Sequence, residues 1–287
     1  MPSDPRGGMA YCRRAARASG SNFYYALWLL PPARRDAMFA VYSFCRAVDD
    51  VVDSGAPVEL AQQELERWRQ EIARCYDERP AHPVTQALAP VVRRYQVPQS
   101  LFTDIVTGMS WDLTPRRYAT FAELEQYCYY VAGAVGLIAI RIFGCRQPQS
   151  ETFARQLGLA FQLTNILRDL AEDAAQDRVY LPQEDVKKFQ VSERDFQGLS
   201  PAGTVPERVR TLLAFEGTRA RQAFAAARAA ITRADRRALT PALAMAAVYE
   251  RLLDQIAAAR FDVFSHPIQL PKLQKLSLAV RGAFLRG

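Results

Sequence analysis

Histidine is scarce in this sequence: only His82 and His266 occur, and both lie in proline-containing stretches. Two histidines cannot build a multi-histidine zinc site, and they give little support to a Ser-His-Asp triad. The pattern G-x-x-x-x-G-K-[ST] and a strand-anchored G-x-G-x-x-G are absent as well. These absences disfavour zinc, serine-hydrolase and nucleotide-loop chemistry.

Paired cysteines and long apolar runs are also missing. The five cysteines are odd in number and form no C-x-x-C, which predicts free thiols in a reducing compartment. The first twenty residues lack the apolar core of a signal peptide. The longest apolar run, residues 130–144, is broken by Arg141 and falls short of the ~20 residues that a spanning helix needs. We therefore expect a cytoplasmic protein.

The net charge of +7 would suit phosphates, nucleic acid or an anionic membrane. The arginine pairs, however, are dispersed among acidic and apolar residues, and no basic tail occurs. We therefore expect no nucleic-acid partner.

Helical patterns dominate the chain, and convincing alternating strands are absent. Apolar residues with a period near 3.6 predict helices over residues 31–53, 58–78, 120–144, 150–175, 217–231 and 241–261. Proline and glycine mark short loops between them, and no flexible linker or internal repeat is present. The sequence predicts an all-α protein: a flexible N-terminal segment, residues 1–18, and a single helical domain, residues 19–287.

Two of these predicted helices carry acidic residues at helical spacing. Around "FCRAVDDVVD" (residues 44–53) one face is formed by Tyr42, just before the stretch, and by Arg46, Asp49 and Asp53 within it; we call it the first acidic row. Around "TNILRDLAED" (residues 164–173) the second acidic row is formed by Gln162, just before the stretch, and by Asn165, Asp169 and Asp173 within it.

Unpaired carboxylates on apolar helices are costly to bury, and two facing rows would repel each other. Divalent cations are the simplest compensation, because Mg²⁺ prefers oxygen ligands and is usually shared between carboxylates and a substrate phosphate. The rows therefore predict a magnesium-diphosphate clamp. The competing interpretation is that each row is a solvated helix face.

The quoted motifs resemble those of the squalene and phytoene synthase family of head-to-head isoprenoid synthases. "DDVVD" and "NILRDLAED" are similar to its two aspartate-rich motifs, and "YCYYVAGAVG" to the segment between them. "SGSNFYYALWLLPPARRDAMFAVYSFCRAVDD" is similar to its N-terminal signature, and "DRVYLPQED" to the turn after the second motif. The resemblance runs from about residue 19 to 276. Within the family, the motifs resemble most those of bacterial presqualene diphosphate and squalene synthases of hopanoid biosynthesis.

The resemblance implies an isoprenoid-synthase-type helical bundle around a central cavity and assigns roles to residues. Magnesium ligands would be Asp49, Asp53, Asn165, Asp169 and Asp173, and Tyr127 would be catalytic together with the aspartates. The substrate-binding residues would be Phe23, Tyr42, Arg46, Gln162, Asn165, Arg168, Arg178 and Tyr249. Tyr127 and Tyr249 have a competing interpretation as core aromatics, and Arg168 as an ion-pair partner of Glu172.

The expected reaction is Mg²⁺-dependent condensation of two farnesyl diphosphates to presqualene diphosphate, followed by NADPH-dependent reduction to squalene. The first alternative is a phytoene synthase that joins two geranylgeranyl diphosphates without reduction. Further alternatives are a single-substrate terpene cyclase and a non-enzymatic helical interaction protein.

Two departures from the family pattern bear on these expectations. A diphosphate-binding arginine of relatives falls within "FSHPIQL" here, where His266 is the comparable residue. We expect no counterpart of the membrane anchor of eukaryotic squalene synthases. Because the product is water-insoluble, we expect peripheral contact with the inner face of the membrane. Oligomeric state is left open.

Overall fold

The structure is a computed structural model that describes residues 4–18, 22–197, 205–265, 268–271, 274 and 277. Within these residues it contains no strand, which confirms the all-α prediction. The helices are α1 (Pro5–Ala18), α2 (Asn22–Leu27), α3 (Pro32–Asp53), α4 (Val58–Tyr76), α5 (Pro83–Tyr95), α6 (Gln99–Trp111), α7 (Phe121–Cys128), α8 (Ala134–Phe143), α9 (Gln149–Ala175), α10 (Gln183–Lys188), α11 (Glu193–Gln197), α12 (Glu207–Ala229) and α13 (Thr240–Ala258).

The six predicted helices are present, with differences at their ends. The predicted helix 217–231 begins ten residues earlier, as α12. Helices α5 and α6 were not predicted, because a proline at the start of α5 and another just before α6 interrupt the apolar periodicity. In α5, Pro83 lies in the first turn, where its missing N–H costs no hydrogen bond.

The segment from α7 to α8 is continuous through a π-helical turn, Tyr129–Gly133. It begins at a capping box: Thr120 Oγ1 accepts from the Glu123 N–H, and Glu123 Oε2 accepts from the Ala119 N–H. By length and composition Phe121–Phe143 is apolar enough to cross a membrane, and half of its most apolar stretch is buried within the protein. The sequence predicted an apolar run too short to span a membrane because only residues from 130 onward were counted. The apolar helix in fact begins at Phe121 and continues past Arg141.

Helix α9 is the centre of the bundle and packs against α12, α8, α13 and the π-helical turn. Gly158 permits the close approach to that turn. A Cβ at this position would lie 2.8 Å from the Gly133 backbone nitrogen and 2.9 Å from the Ala132 carbonyl carbon. Because real Cβ atoms do not approach backbone so closely, a larger residue would push α9 away.

The N-terminal segment is more ordered than predicted over residues 5–18. These residues form α1, which packs against α3 and α5 and buries Cys12 and Ala16. An apolar side of α1 therefore joins the common core, while the boundary at residue 18 stays a prediction. All five cysteines are free, as expected.

The start of α9 is fixed by a buried carboxylate from the loop before α13. Asp235 accepts hydrogen bonds from the Arg146 and Gln147 backbone N–H groups and from Ser150 Oγ, at 2.8–3.0 Å. Burial alone would raise the pKa of Asp235, but these hydrogen bonds outweigh it and lower the pKa. Asp235 therefore connects the loop between α12 and α13 to the start of the central helix, α9.

Replacing Asp235 by alanine is expected to destabilise the protein by about 2–3 kcal/mol at neutral pH, because three donors lose a charged acceptor. A lowered pKa means that this stabilisation is present above the ordinary aspartate pKa of 3.8 and is lost as pH falls further. Urea unfolding at pH 7 and near pH 3 measures the change. Asp254→Ala, which removes an exposed ion pair with Arg221, is the control. Equal losses for both variants at pH 7 would contradict this role.

Candidate active site

An apolar cavity lies between α3, α8, α9 and α13 and is closed on one side by α2. Most of its lining is aliphatic or aromatic, including Met38, Val41, Val135, Ala139, Phe143, Phe153, Leu157, Phe161 and Met245. The polar lining comes from Tyr42, Gln162, Asn165 and Tyr249. All four were predicted substrate-binding residues, and the structure places all four in the lining of the same cavity.

The first acidic row lies at the C-terminal end of α3. Arg46 Nη1 donates to Asp49 Oδ2 at 2.7 Å, and Nη2 lies 2.6 Å from Asp50 Oδ1. The row itself is as predicted, and Asp50 is an additional ion-pair partner. Burial, and then repulsion from Asp53, raises the pKa of Asp49 to about 6.

The second acidic row lies in the C-terminal half of α9. Asp169 accepts from both the Nε and the Nη2 of Arg168, with 2.6 Å to Nε. Arg168 therefore pairs with Asp169 rather than with Glu172, the competing partner. Burial, and then repulsion from Asp169, raises the pKa of Asp173 to about 7, and the charge of Arg178 opposes the rise.

Asp112, which sequence reasoning missed, links the two rows electrostatically. Its charge raises the pKa of both Asp49 and Asp173. Because such coupling requires proximity, the two rows and Asp112 face the same region. Asp112 follows α6 with no periodic signal of its own. Its hydrogen-bond partners are 15 and 68 residues away, too far for local spacing to identify.

Those partners are two tyrosine hydroxyls. Tyr127 donates to Asp112 Oδ2 and Tyr180 donates to Oδ1, each at 2.8 Å. The two rings stack with centroids 5.3 Å apart. Tyr127, the predicted catalytic tyrosine, is buried at 3% exposure and lies beside the acidic rows rather than in the lining of the apolar cavity. Its catalytic role stays a prediction.

Arg178 and Tyr249 complete the polar surroundings. The positive charge of Arg178 opposes the rise in the pKa of both Asp112 and Asp173, so Arg178 lies near the second acidic row. Its contact with diphosphate stays a prediction. Tyr249 is buried, stacks on Phe161 with centroids 4.3 Å apart, and hydrogen-bonds within the group formed by Asn165 and Arg168. The side chain of Phe23 and the whole of His266 lie outside the described residues, so their predicted roles are not addressed.

The acidic residues fit a divalent cation. Both α3 and α9 end with carboxylates and without a basic residue in the last turn, where the helix dipole is already negative. Asn165 Oδ1 is buried and has no hydrogen-bond partner among the described residues. Both features are unfavourable until a cation supplies the missing positive charge.

Within the described ranges, no three His, Cys, Asp or Glu side chains converge closely enough to hold an ion by themselves. This arrangement suits Mg²⁺, which keeps several waters and takes only one or two carboxylates together with substrate phosphate oxygens. Asp49, Asp53, Asn165, Asp169 and Asp173 are the residues that would hold it. When bound, Mg²⁺ neutralises the charge of a departing diphosphate.

An all-α bundle with a carboxylate-rimmed apolar cavity defines an isoprenoid-synthase-type protein, and comparisons with known proteins specify it further. The family described as squalene/phytoene synthase matches residues 16–274. The chain belongs to this family. It is thus an enzyme of head-to-head prenyl condensation, for which the family implies prenyl diphosphate substrates and typically Mg²⁺.

Curated relatives include phytoene synthases. The chain is 35% identical to phytoene synthase 3 of Zea mays over 281 residues, which cover 96% of this chain and 65% of the maize protein. It is 33% identical to phytoene synthase of Arthrospira platensis over 278 residues, 92% of this chain and 89% of that one. The chain therefore spans less than two thirds of the maize protein's length.

Solved structures extend the likeness to related enzymes. A dehydrosqualene synthase superposes with a TM-score of 0.85 at 28% identity, over 97% of this chain and 98% of the other. Squalene synthase HpnC from Alicyclobacillus acidocaldarius gives a TM-score of 0.80 at 26% identity, over 91% and 97%. The predicted fold and family are confirmed. The curated relatives, however, favour the phytoene synthase alternative over the squalene synthase assignment.

Replacing Asp49 and Asp173 together by asparagine is expected to abolish turnover while retaining the fold, because the variant lacks two of the carboxylates that would bind Mg²⁺. Without metal, the melting temperature should stay equal or rise, since like-charge repulsion is relieved. Activity assays and thermal unfolding with and without Mg²⁺ measure both effects. Asp254→Asn, on the exposed surface of α13, is the control. A fully active double variant would refute the assignment.

Replacing Asp112 by asparagine is expected to lower kcat by about 10- to 100-fold with a smaller change in KM, because the two phenols lose a shared charged acceptor and shift. Asp104→Asn is the matched control, since Asp104 accepts a 2.7 Å hydrogen bond from the Tyr129 hydroxyl elsewhere. Steady-state kinetics of both variants separate the effects. An Asp112 variant that behaves like the Asp104 variant would show that Asp112 is merely structural.

Proposed function

We propose that this enzyme condenses two geranylgeranyl diphosphates head to head, as a phytoene synthase, and needs no reductant. Identity of 33–35% to phytoene synthases over 92–96% of the chain supports this substrate. The family membership also favours a two-substrate reaction over the terpene cyclase alternative. Binding two long tails requires a long apolar cavity.

The extent of the apolar cavity is the structural observation that carries the proposal. Its lining on α9 runs from Asn165 to Phe153, and Asp169 lies one turn beyond Asn165. From Asp169 to Phe153 the helix rises about 24 Å, at ~1.5 Å per residue. This length suits an extended geranylgeranyl tail with its diphosphate among the carboxylates.

The residues around the cavity support distinct steps of the reaction. Arg46, Arg168 and Arg178 carry the positive charge that binds and orients diphosphate oxygens. As the diphosphate of one substrate leaves, the allylic cation is attacked by the double bond of the second. Loss of a proton then closes a cyclopropane that still carries the second diphosphate. Departure of this diphosphate leaves a cation that rearranges and loses a second proton, so phytoene forms without a reductant. The aliphatic lining excludes the water that would quench the cation, and the face of Phe161 stabilises it.

Proton removal in this proposal involves either Tyr127 or the released diphosphate. The Tyr127 hydroxyl donates its proton to Asp112, so this proton is already engaged and the phenol oxygen is left as an acceptor. This polarity suits proton acceptance better than donation. The free cysteines support a reducing, cytoplasmic location, which we also propose.

Condensation of two farnesyl diphosphates is the second candidate. It is supported by the structural likeness to a dehydrosqualene synthase and to squalene synthase HpnC. NADPH belongs to this candidate only where the reaction continues to squalene.

The two candidates are distinguished by incubating the purified protein with Mg²⁺ and either prenyl diphosphate, with and without NADPH. Mass spectrometry of the products is expected to show phytoene from geranylgeranyl diphosphate, independent of NADPH. Products from farnesyl diphosphate alone would overturn the proposal in favour of the second candidate.

Ala139→Leu tests the cavity directly, because Ala139 lines it on α8, far from the carboxylates. The added bulk is expected to lower kcat/KM for geranylgeranyl diphosphate at least about tenfold relative to farnesyl diphosphate. Ala225→Leu, at an exposed position of α12, is the matched control. An unchanged ratio in the Ala139 variant would place the tails elsewhere.

A further inference from the structure

Two large apolar side chains are exposed side by side at the end of α2. Trp28 is 54% exposed and Leu29 is 37% exposed. The preceding residues, Ala26 and Leu27, are buried and line the substrate cavity. A single short helix therefore separates the apolar cavity from an apolar surface.

One arginine contacts this apolar pair, and a second lies next to it in sequence. The Arg35 guanidinium stacks on the Trp28 ring, with Cζ 4.0 Å from the ring centroid. Next to it in sequence, Arg34 packs on the end of α8, where a Cβ on Gly144 would lie 2.6 Å from Arg34 Nη2. The same end of the bundle therefore contains the start of α3 and the end of α8.

The loop before α13 adds more positive charge at this end. Asp235 of that loop binds the Arg146 and Gln147 backbone, two residues beyond Gly144. The charge of Asp235 raises the pKa of Cys145 and the charge of Arg34 lowers it, so both side chains lie near Cys145. The exposed arginines of the loop and of its contact segment are Arg146, Arg233, Arg236 and Arg237.

The negative charges at this end are largely neutralised. Asp36 is paired with Arg13, and Asp235 is buried beneath its hydrogen-bond donors, which leaves Glu151 as an exposed carboxylate in the first turn of α9. In the described part of the chain, none of the five arginines at 35, 146, 233, 236 and 237 forms an ion pair. The charge of Arg146 also acts on Asp235, and Arg35 stacks on Trp28, so Arg233, Arg236 and Arg237 carry most of the charge that an anionic partner would meet.

We propose that this surface, the Trp28 face, docks the enzyme on an anionic phospholipid bilayer. It is formed by Trp28, Leu29, Arg35, Arg146, Arg233, Arg236 and Arg237. Tryptophan favours the boundary between headgroups and hydrocarbon, and arginines near it attract anionic headgroups. A nucleic acid or an acidic protein would use the arginines but would give no reason for an exposed Trp-Leu pair.

The docked orientation places the α2 side of the cavity against the bilayer. The acidic rows lie at the other end of α3 and α9 and remain in water, where Mg²⁺ and diphosphate are found. Docking itself does not depend on which prenyl diphosphate is used, and vesicle binding is measured without substrate. Failure of docking is therefore distinguishable from failure of the proposed function.

Vesicle flotation of the full chain tests the docking. Binding is expected to vesicles of phosphatidylcholine with about 30% phosphatidylglycerol, to weaken strongly from about 0.1 M to 1 M salt, and to be weak on pure phosphatidylcholine. Equal binding to both vesicle types, or no binding to either, would overturn the proposal.

Matched variants locate the surface. Arg236→Gln with Arg237→Gln is expected to weaken binding about tenfold, whereas Lys187→Gln with Lys188→Gln, an equal charge change at exposed positions of α10, should have little effect. Trp28→Ser should weaken binding about tenfold, and Tyr11→Ser, a 42% exposed aromatic on α1, should not. Thermal unfolding checks that all variants fold.

The pattern of losses decides the outcome. Equal weakening by the Arg236/Arg237 and the Lys187/Lys188 double variants would show attraction by net charge alone and would contradict a defined face. Binding to soluble polyglutamate or duplex RNA that Trp28→Ser leaves intact, without vesicle binding, would identify a different partner and overturn the proposal.

Discussion

Repulsion among carboxylates at the ends of two helices is the constraint on which this structure depends. Asp49, Asp53, Asp169 and Asp173 lie where the helix dipoles of α3 and α9 are negative, and burial with mutual repulsion raises the pKa of Asp49 and Asp173. Such an arrangement persists only because the surrounding apolar packing is strong enough to hold it. A divalent cation with a diphosphate relieves this repulsion, and the free energy released contributes to substrate binding.

The rest of the fold keeps these charges and the hydrocarbon tails apart while joining them in one site. Helix α9 spans both regions, with Phe153 in the apolar cavity and Asp173 in the polar region. Close packing at Gly158 and the carboxylate of Asp235 fix its position. The opposite end of the bundle is basic and carries Trp28. The molecule therefore has an acidic end that fits a divalent cation and a basic end that we propose faces lipid.

Much of this could be predicted from the sequence because helical periodicity is local. The all-α class, the two acidic rows and the choice of Tyr42, Gln162, Asn165 and Tyr249 as site residues followed from spacing and motif resemblance, and all four line the cavity. Asp112 could not be predicted, since only the fold brings Tyr127 and Tyr180 to it. The preference for one tail length likewise depends on packing around the cavity, which the sequence does not reveal. The sequence motifs led us to expect a squalene synthase, whereas the curated relatives favour a phytoene synthase.

The central claim is that the two acidic rows hold divalent cations against a shared diphosphate. Anomalous diffraction from crystals grown with Mn²⁺ and a non-hydrolysable prenyl diphosphate analogue tests it most directly. The account predicts metal peaks between α3 and α9, coordinated by aspartates from both rows and by diphosphate oxygens, with the tail extending toward Phe153. A diphosphate bound away from the rows, or metal peaks on only the outer surface of either helix, would contradict it.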